Sequence, residues 1–293
     1  ASVSVQLGEE MPLALPSLFE RLVERRRGGY CFEQNALLLA MLEAVGFEAR
    51  LCLARVIYNQ DIHPGLTHRI TLVALEGVDH LVDVGFGPLG PRVPVPLGGA
   101  ERVDGWRRYR VAEPRTGEFH LQCLKDADWY SLYRFELHRY GETDCELGHF
   151  YSHRHPAAVF VNNLVVTRLL PDRILSLRNR DYRVMTAQGE ELQSVENAAF
   201  LHRLLSDEFA LQVTPDEAGR QRFLLVSLVA RSEQLALPAY ENSAAWFDAI
   251  WNHDWESRTA ALPALWQSRL SAAQIAAWQQ GSGGLTQVHR FAV

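Results

Sequence analysis

Apolar residues in this chain recur every second position over many short stretches and every third or fourth over a few longer ones. Alternation over Ser2–Leu7 predicts a strand. After Pro16, a tolerated helix starter, Leu18, Phe19, Leu22 and Val23 predict one face of a helix. A second helix follows the Gly28-Gly29 turn, with Phe32, Ala36–Leu39, Met41, Leu42 and Val45 as its apolar positions and Gly46 as its stop. Runs at 49–57, 68–75 and 80–84 read as strands, the first two separated by a polar loop with Pro64-Gly65 as turn formers. Short connections of this kind predict an antiparallel sheet packed on the second helix.

A Pro/Gly-rich stretch at 88–99 leads into strand patterns at 106–112, 119–124 and 129–137, with further β-rich runs at 159–170, 173–177, 182–186 and 191–193. Such spacing predicts a barrel or sandwich. Ser194-Val195-Glu196-Asn197 opens a helix through about Phe209, and helical stripes rich in Trp and Leu follow between Trp246 and Trp278. The expected organisation is α+β, in three parts: a core over 1–87 with the second helix and its sheet, a β-rich barrel or sandwich domain over 88–194, and a helical C-terminal region over 195–293.

With 293 residues, 47% of them hydrophobic, the chain can bury a sizeable core. The net charge of −6 and the lack of any basic block beyond Arg25–Arg27 argue against nucleic acid as a partner. No apolar run approaches a membrane span, and no secretory signal pattern opens the chain. Cys31, Cys52, Cys123 and Cys145 lack CxxC spacing. That disfavours a disulfide framework or a Cys-rich zinc site and fits a reducing, cytoplasmic location.

Three positions carry candidate chemistry. Cys31 stands in the first turn of the second helix, where unpaired N–H groups and the macrodipole favour an anion, the form a sulfur nucleophile needs. The bland alternative is a small buried core cysteine. His68 heads the strand Thr67–Val73. Asp83 lies in the apolar run Leu81–Val84, where a carboxylate is costly to bury without a hydrogen-bond partner, and His68 on the neighbouring strand is the natural one. Nucleophile, base and a third group orienting the base make a generalised triad. His63 and His80 read as loop and turn histidines.

Arg27-Gly28-Gly29-Tyr30-Cys31-Phe32-Glu33-Gln34-Asn35, Thr67-His68-Arg69 and Val82-Asp83-Val84-Gly85-Phe86-Gly87 resemble, in order and spacing, the three signature blocks of the arylamine N-acetyltransferases. The resemblance runs from about Val3 to about Val213. It implies a cysteine-proteinase-like core of helix plus antiparallel sheet with a second β-domain. It also implies acetyl-CoA as co-substrate, no metal, and a small arylamine or arylhydrazine acceptor. The implied catalytic residues are Cys31, His68 and Asp83. Phe32, Gly85, Phe86 and Gly87 are the implied substrate- and co-substrate-binding residues, and Arg27 a structural arginine beside the nucleophile. His149, His153 and His155, with Asp144 and Glu146, could suggest a metal site, but Phe150–Pro156 resembles a family stretch with no metal role.

The resemblance also sets expectations for the chain ends. In the family a helical bundle with a Pro-Phe-Glu-Asn block precedes the region matching Val3, and its Glu pairs with the arginine matching Arg27. Two readings of the helical region at 195–293 stay open: it takes the place of that bundle, as in a circular permutation with Leu285–Val293 leading towards Ala1, or it is an appended helical extension. Three other functions share features of the pattern: an amide synthase using the same triad on another acyl group, a cysteine hydrolase, and a non-catalytic binding module that kept the fold.

Overall fold

The computed structural model describes residues 1–219, so the stripes expected between Trp246 and Trp278 and the Leu285–Val293 stretch lie outside the described residues. The fold is α+β, as expected. Three helical segments open the chain: α1 (Val3–Leu7), α2 (Leu15–Phe19), which continues as a π-helical turn over Glu20–Glu24, and α3 (Cys31–Ala44). There follow β1 (Ala49–Val56), β2 (His68–Leu75), β3 (Val78–Val82), β4 (Val95–Pro96), β5 (Arg102–Asp104), β6 (Arg107–Arg115), β7 (Glu118–Lys125) and β8 (Asp128–Glu136). These eight strands form one antiparallel sheet in the order β4-β3-β2-β1-β8-β7-β6-β5. A parallel bridge from Leu97 to Val111 brings the β4 end against β6 and nearly closes the sheet into a barrel. Its interior holds Ile70, Leu72, Leu81, Val111, Leu121 and Tyr133, each at most 1% exposed.

α4 (Glu142–Arg154) and α5 (Val159–Asn162) lead to a second sheet of β9 (Val165–Leu169), β10 (Ile174–Arg178), β11 (Asp181–Thr186) and β12 (Gly189–Ser194), ordered β12-β11-β10-β9. α6 (Ala198–Arg203), extended by a π-helical turn over Leu204–Glu208, and α7 (Pro215–Gly219) complete the described chain. α6 buries Leu201 in a core shared with Val166 and Leu177 of the second sheet and Val3 of α1.

Three sequence expectations need correction, and one helix was not foreseen. The boundary expected at residue 87 falls inside a continuous sheet, because β1 pairs with β8 as well as with β2. Ser2–Leu7 is not a strand: α1 ends at Gly8, whose φ of 70° makes a left-handed stop, and it buries Val3, Ser4, Val5 and Gln6 together rather than alternately. The β-rich run at 159–170 divides into α5 and β9. Finally, α4 carries no apolar stripe that would announce it. Its signals are electrostatic, with Glu142 and Asp144 in the first turn and His153 and Arg154 in the last.

The apolar faces foreseen for the first two helices are also only partly the buried ones. Leu18 is buried, but Phe19 and Val23 are about half exposed. On α3, Phe32 and Leu39 are buried together with Glu33 and Asn35, whereas Met41 and Val45 face outward. Polar partners, rather than hydrophobicity alone, decide which side of α3 turns inward.

Candidate active site

The nucleophile candidate stands at the first residue of α3, reached through a tight turn in which Arg26 (φ 46°) and Gly28 (φ 69°) are left-handed. Arg27 is buried within this turn. It donates to the Gln212 carbonyl and pairs with the carboxylates of Glu9 and Glu217. The partner expected from a Pro-Phe-Glu-Asn block is thus matched by two carboxylates from other parts of this chain. Glu33, fully buried, accepts from the Tyr30 N–H at 3.1 Å and is neutralised by the guanidinium of Arg21, 6% exposed. Burial pushes the Glu33 carboxyl upward, opposed by Arg21 and the Tyr30 N–H.

His68, the first residue of β2, and Asp83, the residue after β3, meet beside α3. His68 Nε2 lies 2.7 Å from Asp83 Oδ2. Tyr133 of β8 donates to the same oxygen at 2.9 Å. Asp83 Oδ1 accepts from Asn35 Nδ2 at 2.9 Å and from the Gly85 N–H at 2.8 Å. Burial disfavours the Asp83 anion, but His68 and the other donors outweigh it and hold the carboxyl below its ordinary value. Burial likewise opposes the charged His68. The Asp83 carboxylate and the hydrogen-bonded Cys31 sulfur overcome it and push the imidazole up to about 10. With Nε2 engaged by Asp83, Nδ1 is left for Cys31. The Cys31 Sγ also lies 3.8 Å from the Thr67 carbonyl.

Gly85 permits this convergence. A Cβ there would overlap the Cys31 Cα and stand 2.9 Å from its Cβ. The Phe86 ring packs on His68 (5.2 Å between centroids), Tyr133 (5.0 Å) and Tyr58 (5.8 Å). Cys31, His68, Gly85, Phe86 and Gly87 open onto a cavity of about 380 Å³, whose lining also includes Thr167, Ser176 and Arg178 from the second sheet. Phe32 does not fit its expected binding role. It is fully buried, edge-on to His149, and takes no part in the cavity wall, because a helix residue next to an inward-facing one points about 100° away. His63 and His80 lie outside the cavity, and His149 is a buried hydrogen-bonding group.

Sequence reasoning missed Tyr133 and gave Asn35 no role. Asn35 could have been found, since it lies one helical turn after Cys31 and so shares its face. Tyr133 could not. A β-bulge at Leu132, between the pairs Leu121–Tyr133 and Gln122–Ser131, shifts the strand's alternation.

Known proteins with this architecture bear on its identity. The sequence profile of the N-acetyltransferase family matches residues 1–218. The chain is 34% identical to the arylamine N-acetyltransferase of Mycobacterium tuberculosis (strain H37Rv) over 75% of this chain and 80% of that one. It belongs to the arylamine N-acetyltransferase family. Among solved members, the Salmonella typhimurium enzyme superposes with a TM-score of 0.71 at 30% identity, covering 78% of this chain and 85% of that one. The Mycobacterium marinum enzyme, solved in complex with CoA, superposes with a TM-score of 0.69 at 27% identity, covering 74% and 84%. As a member of this family the chain is an acyltransferase.

Proposed function

We propose that this acyltransferase moves an acetyl group from acetyl-CoA to arylamines or arylhydrazines by a ping-pong route, with Cys31, His68 and Asp83 as its catalytic triad. The observation that carries this reading is Asp83, buried under four donors, aligned on His68 beside a sulfur that opens into a cavity. A carboxylate so saturated stays ionised and fixes the imidazole's orientation.

Cys31, as thiolate paired with the His68 imidazolium, attacks the thioester carbonyl. The N–H groups at the head of α3 have no acceptor within the helix, and donors of this kind near Cys31 are the source of oxyanion stabilisation in this reading. Collapse breaks the carbon–sulfur bond to CoA, whose thiolate takes the His68 proton, and leaves the acetyl group on Cys31. The amine nitrogen then attacks this second thioester, neutral His68 accepts the amine proton, and the Cys31 thiolate departs. Asp83 orients and stabilises the imidazolium in both half-reactions.

The cavity suits the co-substrate's chemistry. Thr167 and Ser176 line the cavity with hydroxyl side chains, a residue type that suits an amide of a pantetheine arm. Arg178, an exposed residue of the cavity lining, suits a phosphate. Mass spectrometry after exposure to acetyl-CoA is expected to find one acetyl group, on Cys31, discharged by an added arylamine. In Cys31→Ser the adduct should vanish while circular dichroism stays native. An adduct persisting in that variant overturns the assignment.

A further inference from the structure

Outside the triad, the most completely built group of titratable side chains lies one residue before the nucleophile. The Tyr30 hydroxyl is 2.6 Å from His149 Nδ1, and His149 Nε2 is 2.7 Å from the Met11 carbonyl oxygen. A carbonyl can only accept, so Nε2 carries the ring proton, Nδ1 is the acceptor and the phenol is the donor. Tyr30 and His149 are 3% and 5% exposed. His153 reinforces the arrangement through its Nδ1, 2.6 Å from the His149 carbonyl oxygen.

Gly148 allows α4 to come this close. A Cβ on it would stand 2.6 Å from the Phe32 ring and 2.5 Å from the Leu66 carbonyl oxygen, so the α4 backbone lies directly on the first turn of α3. Tyr30 also lines the cavity beside Cys31, its ring 4.9 Å from that of Phe160. On its N-terminal side Tyr30 follows Gly28 and Gly29, the residue type with the most backbone freedom to lose.

We propose that His149 is a positioning residue for acyl transfer: by accepting the Tyr30 hydroxyl it fixes the residue before Cys31, and with it the line of attack of the sulfur and the cavity wall beside it. This rests on the reading of Cys31 as the nucleophile. Burial holds the His149 imidazole down to about 4, helped by His153, Arg21 and Arg154 and opposed by the bond to the Met11 carbonyl, so the acceptor persists at neutral pH. Misplacement of a reacting group by about 1 Å costs on the order of 100-fold in rate, so a tie one residue from the sulfur has leverage.

The test compares His149→Phe, His149→Asn, Tyr30→Phe and the double variant His149→Phe/Tyr30→Phe. The readout is the single-turnover rate of Cys31 acetylation by acetyl-CoA, with melting temperatures measured in parallel. Asparagine offers an acceptor near the position of Nδ1. His149→Phe and Tyr30→Phe are each expected to slow acetylation by about tenfold or more, the double variant no further, and His149→Asn is expected to restore most of the rate. A wild-type rate in Tyr30→Phe, or equal slowing in folded His149→Asn and His149→Phe, overturns the proposal. If His149→Phe fails to fold, Tyr30→Phe, which removes one oxygen, decides alone. Failure of the nucleophile reading itself looks different, because the wild-type protein then forms no adduct on Cys31.

Discussion

At the scale of single residues, two buried histidines pull stability in opposite directions with pH. His68 is held up to about 10 against an ordinary 6.5, so its contribution is complete below 6.5 and is lost as pH rises from there towards 10. His149 is held down to about 4. Between 6.5 and 4 the unfolded chain binds a proton that the folded protein refuses, so stability falls as the solution is acidified through that window. Urea midpoints measured from pH 4 to 10 should therefore peak between these limbs, and His149→Asn should flatten the acid limb only. An unchanged acid limb in that variant refutes the assignment. The sequence already pairs His68 with the Asp83 carboxylate, but it gives no sign of the burial and partners that hold His149 down. The difference is that one faces a carboxylate and the other a phenol, a carbonyl and two guanidinium groups.

At the scale of elements, α3 is anchored by polar contacts that a periodicity argument leaves out. Its inward face carries Glu33 and Asn35, and the turn after α2 sends Arg21 into the same interior. Arg21→Ala leaves the Glu33 charge buried without its guanidinium, and about 3–5 kcal/mol of stability should be lost. Thermal melting checks this, and a loss under about 1 kcal/mol would show that Glu33 is neutral in the native protein. The start of α3 was readable from Gly28-Gly29 and the apolar run behind them. Its buried face was not, because the choice between Met41 and Asn35 turns on whether another segment supplies a partner. The Asn35 Nδ2 meets Asp83 Oδ1 and the Arg69 carbonyl, whereas Met41 is exposed among the described residues.

At the scale of the whole molecule, the cavity exists because residues of both sheets meet around it. Its lining includes Cys31 of α3, His68 of β2 and Asp83 after β3, together with Thr167 of β9 and Ser176 and Arg178 of β10. Thr167 pairs with Ser176, and Arg178 with Val165, so these side chains share one face of the second sheet. Arg178→Ala is expected to raise KM for acetyl-CoA several-fold while leaving acetylation by a small phosphate-free acetyl ester unchanged. Equal effects on both donors would remove Arg178 from co-substrate recognition. Arg92 also spans the two sheets, bonding Asp104 of β5 and the Leu170 carbonyl beside β9.

What the chain determined by itself is local and chemical. Alternation marked most of the strands, the double glycine marked the helix start, and three short blocks named the sulfur, imidazole and carboxylate. Tertiary structure decided everything that depends on which way a side chain turns and on what it meets: the bulge at Leu132 that brings Tyr133 to Asp83, the burial of Phe32 away from the cavity, the seating of α4 on α3 through Gly148, and the carboxylates that neutralise Arg27. The reason is physical. Periodicity records the average polarity of a face, whereas a buried polar group is satisfied by one specific partner, and those partners stand tens of residues away in the chain.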